Sequence, residues 1–588
     1  MDYLKQLPKK RSKIPTLAEA VYVLRKMAVW QKIAFLLFSA AFVFSALVII
    51  SKTSDYFMID VPAYGGSLTE GIIGTPRFIN PVLAISDADR DVTALVYSGL
   101  MRRDDDGKLI KDLAESVTIS NEGLVYTFTL KPDLRWHDGQ PVTADDIVFT
   151  IDRLTNSATK SPKRAAWEGI DVQKTDERTV KFTLKKPFAP FLENATIGIL
   201  PAHIWSPVSP EQMTFSELNI KPIGSGPYKI KEIKRNSSEV VSSYEFAANK
   251  NFSLGKPRLK KIILKFYSSE KDIIAAYQKG EIESANALTP QALTKVQSGR
   301  NAIIPLYLSR IFGAFLNQNN VKAFTKKEVR QALDISVDRK KIIEQVLKGY
   351  GTELYGPLPS GTFGAIENSA AATSSSIEKA KEILSRNGWK LNEETGILEK
   401  KSGKEALALS FVISTADAPE LKETAEMLRT AWKQLGAKVE VKVFEVGDLN
   451  QNVIRPRKYD VLLFGEIVGR DPDPFAFWHS SQRNDPGLNV ALYANIKADG
   501  LLEEARATFN ETVRKEKYEE FQKEIFNDTP AVFVYSPKLI YVAPKDLKGV
   551  ENMASVAVPS ERFLSVYKWH RGTDRAWKIF ADKPPHLF

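Results

Sequence analysis

"RWHDGQPVTADDIVFTIDRL", residues 135–154, sets Trp136, His137 and Asp138 side by side, with Asp145 and Asp146 a few residues on. Read as chemistry, it offers a base, an orienting acid and two further carboxylates. Read as architecture, every polar residue has a conformational task. Asp138-Gly139 is a turn dipeptide, and Pro141 keeps the next residues extended. Thr143 followed by Asp146 fits a helix N-cap, with Asp145 and Asp146 at the positive end of the helix. Ile147, Val148, Ile151 and Leu154 then share one helical face. His137 and Asp138 are strand neighbours and face opposite sides, so they do not form a base–orienter pair. No nucleophile accompanies them. The stretch is a strand, a turn and a capped amphipathic helix.

The same periodicities extend on both sides. "GLVYTFTLKPDLRW" (123–136) sets Val125, Phe128 and Leu130 among polar residues, and "RTVKFTLKKPF" (178–188) repeats the pattern. Both read as strands of a β-rich subdomain spanning about 101–220. Upstream, "GGSLTEGIIGTPRFINPVLAIS" (65–86) is a strand followed by a punctuated loop, and residues 89–102 carry helical spacing. Downstream, "PIGSGPYKI" (222–230) is a turn leading into strands. Its Gly-Ser-Gly could cradle an anion, but Pro227 lacks an N–H, so a structural turn is the reading. "EKDIIAAYQKGEIE" (270–283) is a helix stopped by Gly280, and residues 326–351 hold at least one long helix stopped by Gly349 and Gly351. "SAAATSSS" (369–376) is a loop by composition, and Ser375 with Glu378 fits a capping box for the helix after it. Residues 422–445 read as helix, glycine and strand, and "YDVLLFG" (459–465) as a more buried strand. Mixed α and β in two unequal lobes follows.

The chain has 588 residues, 43% apolar and 26% charged, too long for one hydrophobic core and too apolar for disorder. With no cysteine there are no disulfides, thiolate metal sites or cysteine nucleophile. The five histidines make no short metal-binding spacing, and no P-loop, dinucleotide fingerprint or nucleophile elbow is present. Residues 33–50, "IAFLLFSAAFVFSALVII", carry no charge and as a helix span roughly 27 Å, near the ~30 Å of a bilayer core. Before them stand Lys5, Lys9, Lys10, Arg11, Lys13, Arg25, Lys26 and Lys32 against Asp2 and Glu19, so more than half of the net charge of +11 lies in residues 1–32. This tail suits the anionic lipid of the cytoplasmic face, and the remainder is no nucleic-acid binder. The positive-inside rule puts everything after Ser51 outside. A signal peptide has a shorter apolar core ending in small residues, so an uncleaved anchor is expected.

A second suggestive stretch is "FGEIVGRDPDPFAFWHSSQ" (464–482), which follows a buried strand and combines Glu466, Arg470, Asp471 and Asp473 with Phe475, Phe477 and Trp478. Loops at strand ends bind ligands in α/β lobes. Acids with aromatics suit an amine-bearing, partly apolar ligand; aromatics packed into a core are the alternative.

Taken in order, these stretches resemble the family 5 solute-binding proteins of ABC transporters, the oligopeptide- and dipeptide-binding type. The residues carrying the likeness are "GGSLTEGIIGTPRFINP", the passage 96–154 that ends in the opening stretch, "PIGSGPYKI", "VRQALDISVDRKKII", "AKEILSRNGW" and "SERFLSVYKW". The resemblance implies a bilobed, periplasmic-binding-protein-like α/β fold (type II, three subdomains) after one transmembrane helix. Lobe I would comprise residues 62–100, 221–300 and 541–575, with 101–220 as its β-rich subdomain; lobe II would comprise 301–540.

It further implies a monomeric extracytoplasmic receptor, not an enzyme, without cofactor or metal. Such a receptor closes on a peptide and delivers it to ABC permease subunits, the ATPase being a separate chain. Asp87 and Tyr97 would line the cleft from lobe I, and Asn317, Glu466, Asp471 and Trp478 from lobe II. The pattern is only partly kept. Peptide binders of the family often carry G-W-x-x-D before an acidic-Pro pair, the Asp meeting the peptide's amino terminus. Here Val468 stands at that Asp and no Trp precedes it. A sugar, an opine or a metal chelate is therefore an alternative ligand, and a surface sensor without transport an alternative role.

Overall fold

The computed structural model describes residues 17–296, 299–366, 375–402, 405–469, 471–551 and 555–578. Most of the basic tail and of the 369–376 loop, Arg470 and His586 lie outside the described residues. The chain forms two compact units.

One unit holds residues up to Ala63 together with those from Thr573 onward. The helix Val29–Phe57 contains a candidate membrane span, Val29–Thr53, none of it buried. After it, Met58–Pro62 pairs antiparallel with Thr573–Trp577.

The other unit, Tyr64–Gly572, is built on one sheet of 13 strands. Its central member, Ala531–Pro544, is 14 residues long. The first residues of this strand pair with Arg310–Leu316, and its last residues with Asn301–Leu308 and Ser284–Asn286. Three hydrophobic cores share it: Leu539, Tyr541 and Ala543 belong to the first, Ala531 to Tyr535 to the second, and Ile540 and Val542 to a small third. Its partner also crosses, as Asn301–Leu308 continues through Ser309 into Arg310–Leu316. Ser536 Oγ donates to Leu308 O at 2.8 Å, and Ser309 exchanges backbone hydrogen bonds with Val556 and Val468. Two adjacent strands thus join the halves, and Pro537 stands where the long strand changes partners.

The four-stranded antiparallel sheet Ala114–Ser120, Val125–Leu130, Thr179–Leu184, Ile170–Asp176 stands beside the first core. Its inward residues are Tyr126, Phe128, Leu130, Val180, Phe182 and Leu184. Val125, expected among them, falls on the other face, as a period of two requires. The opening stretch folds as its residues dictate. Gly139 takes φ +92° in the turn, and the helix runs Ala144–Thr155, with Thr143 N donating to Asp146 Oδ2 at 2.8 Å. Two expectations shift. Residues 326–351 hold two short helices, Lys327–Ile335 and Arg339–Gln345, because the Asp338 side chain caps the second. The cap of the helix Ile377–Arg386 is Ser376 rather than Ser375.

The first core encloses a buried ionic network. Arg562, 0% exposed, donates to Glu70 Oε1 at 2.9 and 2.6 Å and to Asp91 Oδ1 and Oδ2 at 2.7 and 2.8 Å. Tyr541 Oη donates to Glu70 Oε2 at 2.8 Å, and Asn286 Nδ2 to Glu70 Oε1 at 3.0 Å. Burial and the neighbouring Glu70 push the Asp91 carboxyl up to about 6, with Arg562 opposing. Removing the one cation strands two acids in a dry site. We expect Arg562→Met to cost about 3–5 kcal/mol, read as a lower denaturation midpoint of the full chain. Lys221→Met, which breaks an exposed pair with Glu217, should leave that midpoint unchanged.

Candidate functional site

The site is organised by the helix Asp87–Val96. Ser86 Oγ accepts from Asp89 N at 3.1 Å, and Asp89 Oδ2 accepts from Ser86 N at 3.2 Å, a capping box. Asp89 Oδ1 also accepts from Arg77 N and Phe78 N, which ties down the preceding loop. Asp91 faces inward to Arg562. At the C-terminal end, Gly226 N donates to Val96 O at 2.8 Å. A Cβ on Gly224 would lie 2.0 Å from Val96 O, and one on Gly226 would lie 2.5 Å from Val96 C, so "GSGP" is glycine-rich for close approach. His137 staples that turn: its backbone N–H donates to Gly224 O at 2.8 Å, and its ring Nε2 lies 3.0 Å from Gly226 O. Burial pushes the imidazole down to about 4, so it stays neutral. Asp138 pairs instead with His203, at 2.8 Å.

Held this way, the helix presents Arg90, Thr93 and Tyr97 to a cavity of about 680 Å³. Arg103 and Glu193 line another wall, Glu561 a third, and Ile467 enters from the strand Val461–Ile467 of the other half. Arg103 Nε donates to Glu193 Oε2 at 3.1 Å, and burial pushes the Glu193 carboxyl up. Arg310 lies opposite Ile467 in the sheet, and its Nε is buried with no hydrogen-bond partner among the described residues. The lining therefore mixes cationic, anionic and apolar groups. A second cavity, of about 780 Å³, is lined by Asp106, Tyr307, Glu353, Tyr355 and Ser555. The hairpin of Met101–Arg103 and Leu109–Lys111 contributes to both, through Arg103 and Asp106.

The six residues singled out from sequence fare differently. Tyr97 lines the 680 Å³ cavity, and burial pushes its phenol up. Asp87 sits on the same helix, 3.4 Å from Arg90. Asn317 is occupied: its Nδ2 donates to Tyr459 O and Arg457 O, and its Oδ1 accepts from Asn319 N and Asn320 N. Trp478, 1% exposed, packs among Phe315, Tyr493 and Phe533 in the second core. Neither Asn317 nor Trp478 is among the residues that line the two cavities. Asp471 accepts from Arg514 Nη2 at 2.8 Å, and burial pushes its carboxyl up. Glu466 is buried, and its Oε2 has no hydrogen-bond partner among the described residues. Sequence reasoning missed Arg90, Arg103, Glu193 and Glu561. The acidic opening "DADRD" could have pointed to Arg90 as the outward base; nothing local links Arg103 to Glu193.

The two halves also touch directly. Arg506 pairs with Asp473 at 2.9 Å, stacks over Phe475 and Phe188, and its carbonyl accepts from Ala189 N at 2.8 Å. The Phe509 ring lies against Gly123, where a Cβ would come within 1.9 Å, and 6.3 Å from the Tyr126 ring.

A two-lobed sheet crossed by two strands, with a charged cavity at the joint, defines a solute-binding architecture. The model of the bacterial extracellular solute-binding proteins, family 5 Middle, matches residues 108–488. The chain belongs to this family, whose members are substrate-binding receptors of ABC transporters and not enzymes. It is 30% identical over 516 residues to the oligopeptide-binding protein AppA of Bacillus subtilis (strain 168), covering 86% of this chain and 92% of that protein. The structure of B. subtilis AppA in complex with a nonapeptide matches with a TM-score of 0.67 at 29% identity, over 87% of this chain and all of that one. NikZ from Campylobacter jejuni, in complex with Ni(L-His), matches with a TM-score of 0.68 at 29% identity, over 86% and 99%.

Burial pushes Glu466 well above the ordinary carboxylate range. The unfolded chain releases this proton near pH 4.5 while the folded chain keeps it, so stability falls as pH rises from there toward the folded value. Glu466→Gln removes that loss. Its melting temperature should gain on the native protein's as pH rises above about 4.5; parallel curves would contradict the assignment.

Proposed function

We propose that the chain is a monomeric receptor held at the cytoplasmic membrane by its apolar helix, N-terminus inside. Its binding unit, on the extracytoplasmic face, captures peptides between two lobes and passes them to an ABC permease. In this reading, residues 62–100, 221–300 and 541–575 form lobe I, 101–220 its subdomain and 301–540 lobe II. The observation that carries it is the cavity at the joint, where Arg90 and Arg103 stand with Glu193 and Glu561 around apolar walls. A peptide presents an amine, a carboxylate and apolar side chains together, and this lining can answer each. Tyr97 stays un-ionised and can cover an apolar group. Asp87, beside Arg90, and Asp471, near Arg103, supply further acids around the same joint, while Glu466, next to Ile467 in the strand, is kept protonated by burial. The oligopeptide-binding relative supports the peptide class.

A second reading, a non-peptide solute such as a metal chelate, an opine or a sugar, has one specific support. Gly465 and Val468 stand where peptide binders often carry Trp and Asp, and a structural relative holds Ni(L-His). No group of three or more candidate metal ligands occurs among the described residues, so such a metal would have to arrive with its own chelator.

The crossing strands at Leu308–Arg310 and at Pro537 are the natural hinge, and the Arg506–Phe509 contacts are those a closed state would make. A mixed peptide library should shrink the scattering radius of the binding unit and raise its melting temperature. At a hundredfold excess over Kd the stabilisation is about 2.7 kcal/mol. No change in either would contradict peptide capture. Phe509→Ala, which removes the ring seated on Gly123, should weaken peptide binding severalfold through faster release, with unchanged far-UV circular dichroism.

A further inference from the structure

The C-terminal strand has an unexpected partner. Thr573–Trp577 does not extend the large sheet; it pairs with Met58–Pro62, the five residues that follow the apolar helix. Trp577 opposes Met58, and its ring stacks on Phe57 at 6.4 Å with an interplanar angle of 2°. Tyr56 meets Phe57 edge-on at 5.3 Å. These rings are open to solvent: Tyr56 is 84% exposed, Phe57 45% and Trp577 42%, with Ile59 exposed beside them. A two-stranded ribbon of this size is marginal in water on its own, and three exposed aromatic rings give it no core.

Their position along the helix accounts for them. The uncharged run ends at Ile50, and the seven residues to Phe57 rise about 10 Å. The headgroup layer is about 5–8 Å deep on each side of the hydrocarbon. Helical side chains point back toward the N-terminus, so Tyr56 and Phe57 reach toward that layer rather than away from it. Trp and Tyr favour this level, with an apolar ring body and a polar tip.

We propose that the ribbon of Met58–Pro62 and Thr573–Trp577, with the rings of Tyr56, Phe57 and Trp577, is a second membrane contact. It seats in the lipid headgroup layer where the helix leaves the bilayer. The C-terminal strand is thereby clasped to the anchor, and the binding unit is tied to the membrane at both its first and its last residues. The proposal rests on the anchor reading, yet it can fail alone.

The test uses the full chain in phosphatidylcholine–phosphatidylglycerol vesicles whose acyl chains are brominated either near the headgroup or near the bilayer centre. Eight other tryptophans are removed from view by taking the emission of the native chain minus that of Trp577→Phe. The expected result is loss of this difference emission with the shallow bromine and little loss with the deep one. Co-flotation with vesicles but no quenching by either overturns the clasp and leaves the anchor standing. Failure to co-float overturns both. Because the chain lacks cysteine, Ile59→Cys with Ala576→Cys gives a clean check of the ribbon. The pair should oxidise to an intramolecular disulfide in the vesicles, and no crosslink overturns the clasp independently of the fluorescence.

Discussion

The guanidinium of Arg562 is the point through which the first half of the binding unit is assembled. Its two carboxylate partners come from the strand Gly65–Ile73 and the helix Asp87–Val96, and it lies nearly five hundred residues from both in sequence. Tyr541 and Asn286 complete the shell from two further strands. Burial in this dry site, with the neighbouring Glu70 adding to it, holds Asp91 up to about 6 against the opposing pull of Arg562. Such a network adds little net stability over a hydrophobic replacement, but its geometry admits only one arrangement of the segments that meet there. A half made from discontinuous stretches needs that specificity.

From this network the path to the site is short. Asp91 fixes the inner face of the helix Asp87–Val96, the Ser86–Asp89 box fixes its start, and the glycine turn stapled by His137 fixes its end. With all three set, Arg90, Thr93 and Tyr97 have one direction to point. Opposite them, Ile467 ends a strand from the other half, near where two adjacent strands carry the chain between halves. Under the proposed function, movement at Leu308–Arg310 and Pro537 opens and closes the cavity without disturbing the helix.

Much of the fold was legible because it rests on local periodicity. The alternation in 123–136 and 178–188, the Thr143 cap and the Gly280 and Gly436 stops each follow from a few adjacent residues. In place of the long helix expected within 326–351, two short ones form because Asp338 caps the second, a signal that an otherwise continuous pattern concealed. The site was less legible. Trp478 beside acids looked like a cover for a ligand, yet its ring fills the second core; Asn317 looked available, yet backbone carbonyls and amides take its whole amide group. Burial is a property of the assembled chain, and a single loop sequence does not carry it. The pairs Arg103–Glu193 and Arg562–Glu70 are joined only by topology, so no spacing could have announced them.

In the proposed function, the charged joint between the halves receives peptides. Mass spectrometry of the small molecules released when the natively purified protein is denatured tests it most directly. A ladder of peptides carrying free amino and carboxyl termini is the expected result. A single non-peptide solute, or a metal with its chelator, recovered in stoichiometric amount would contradict it.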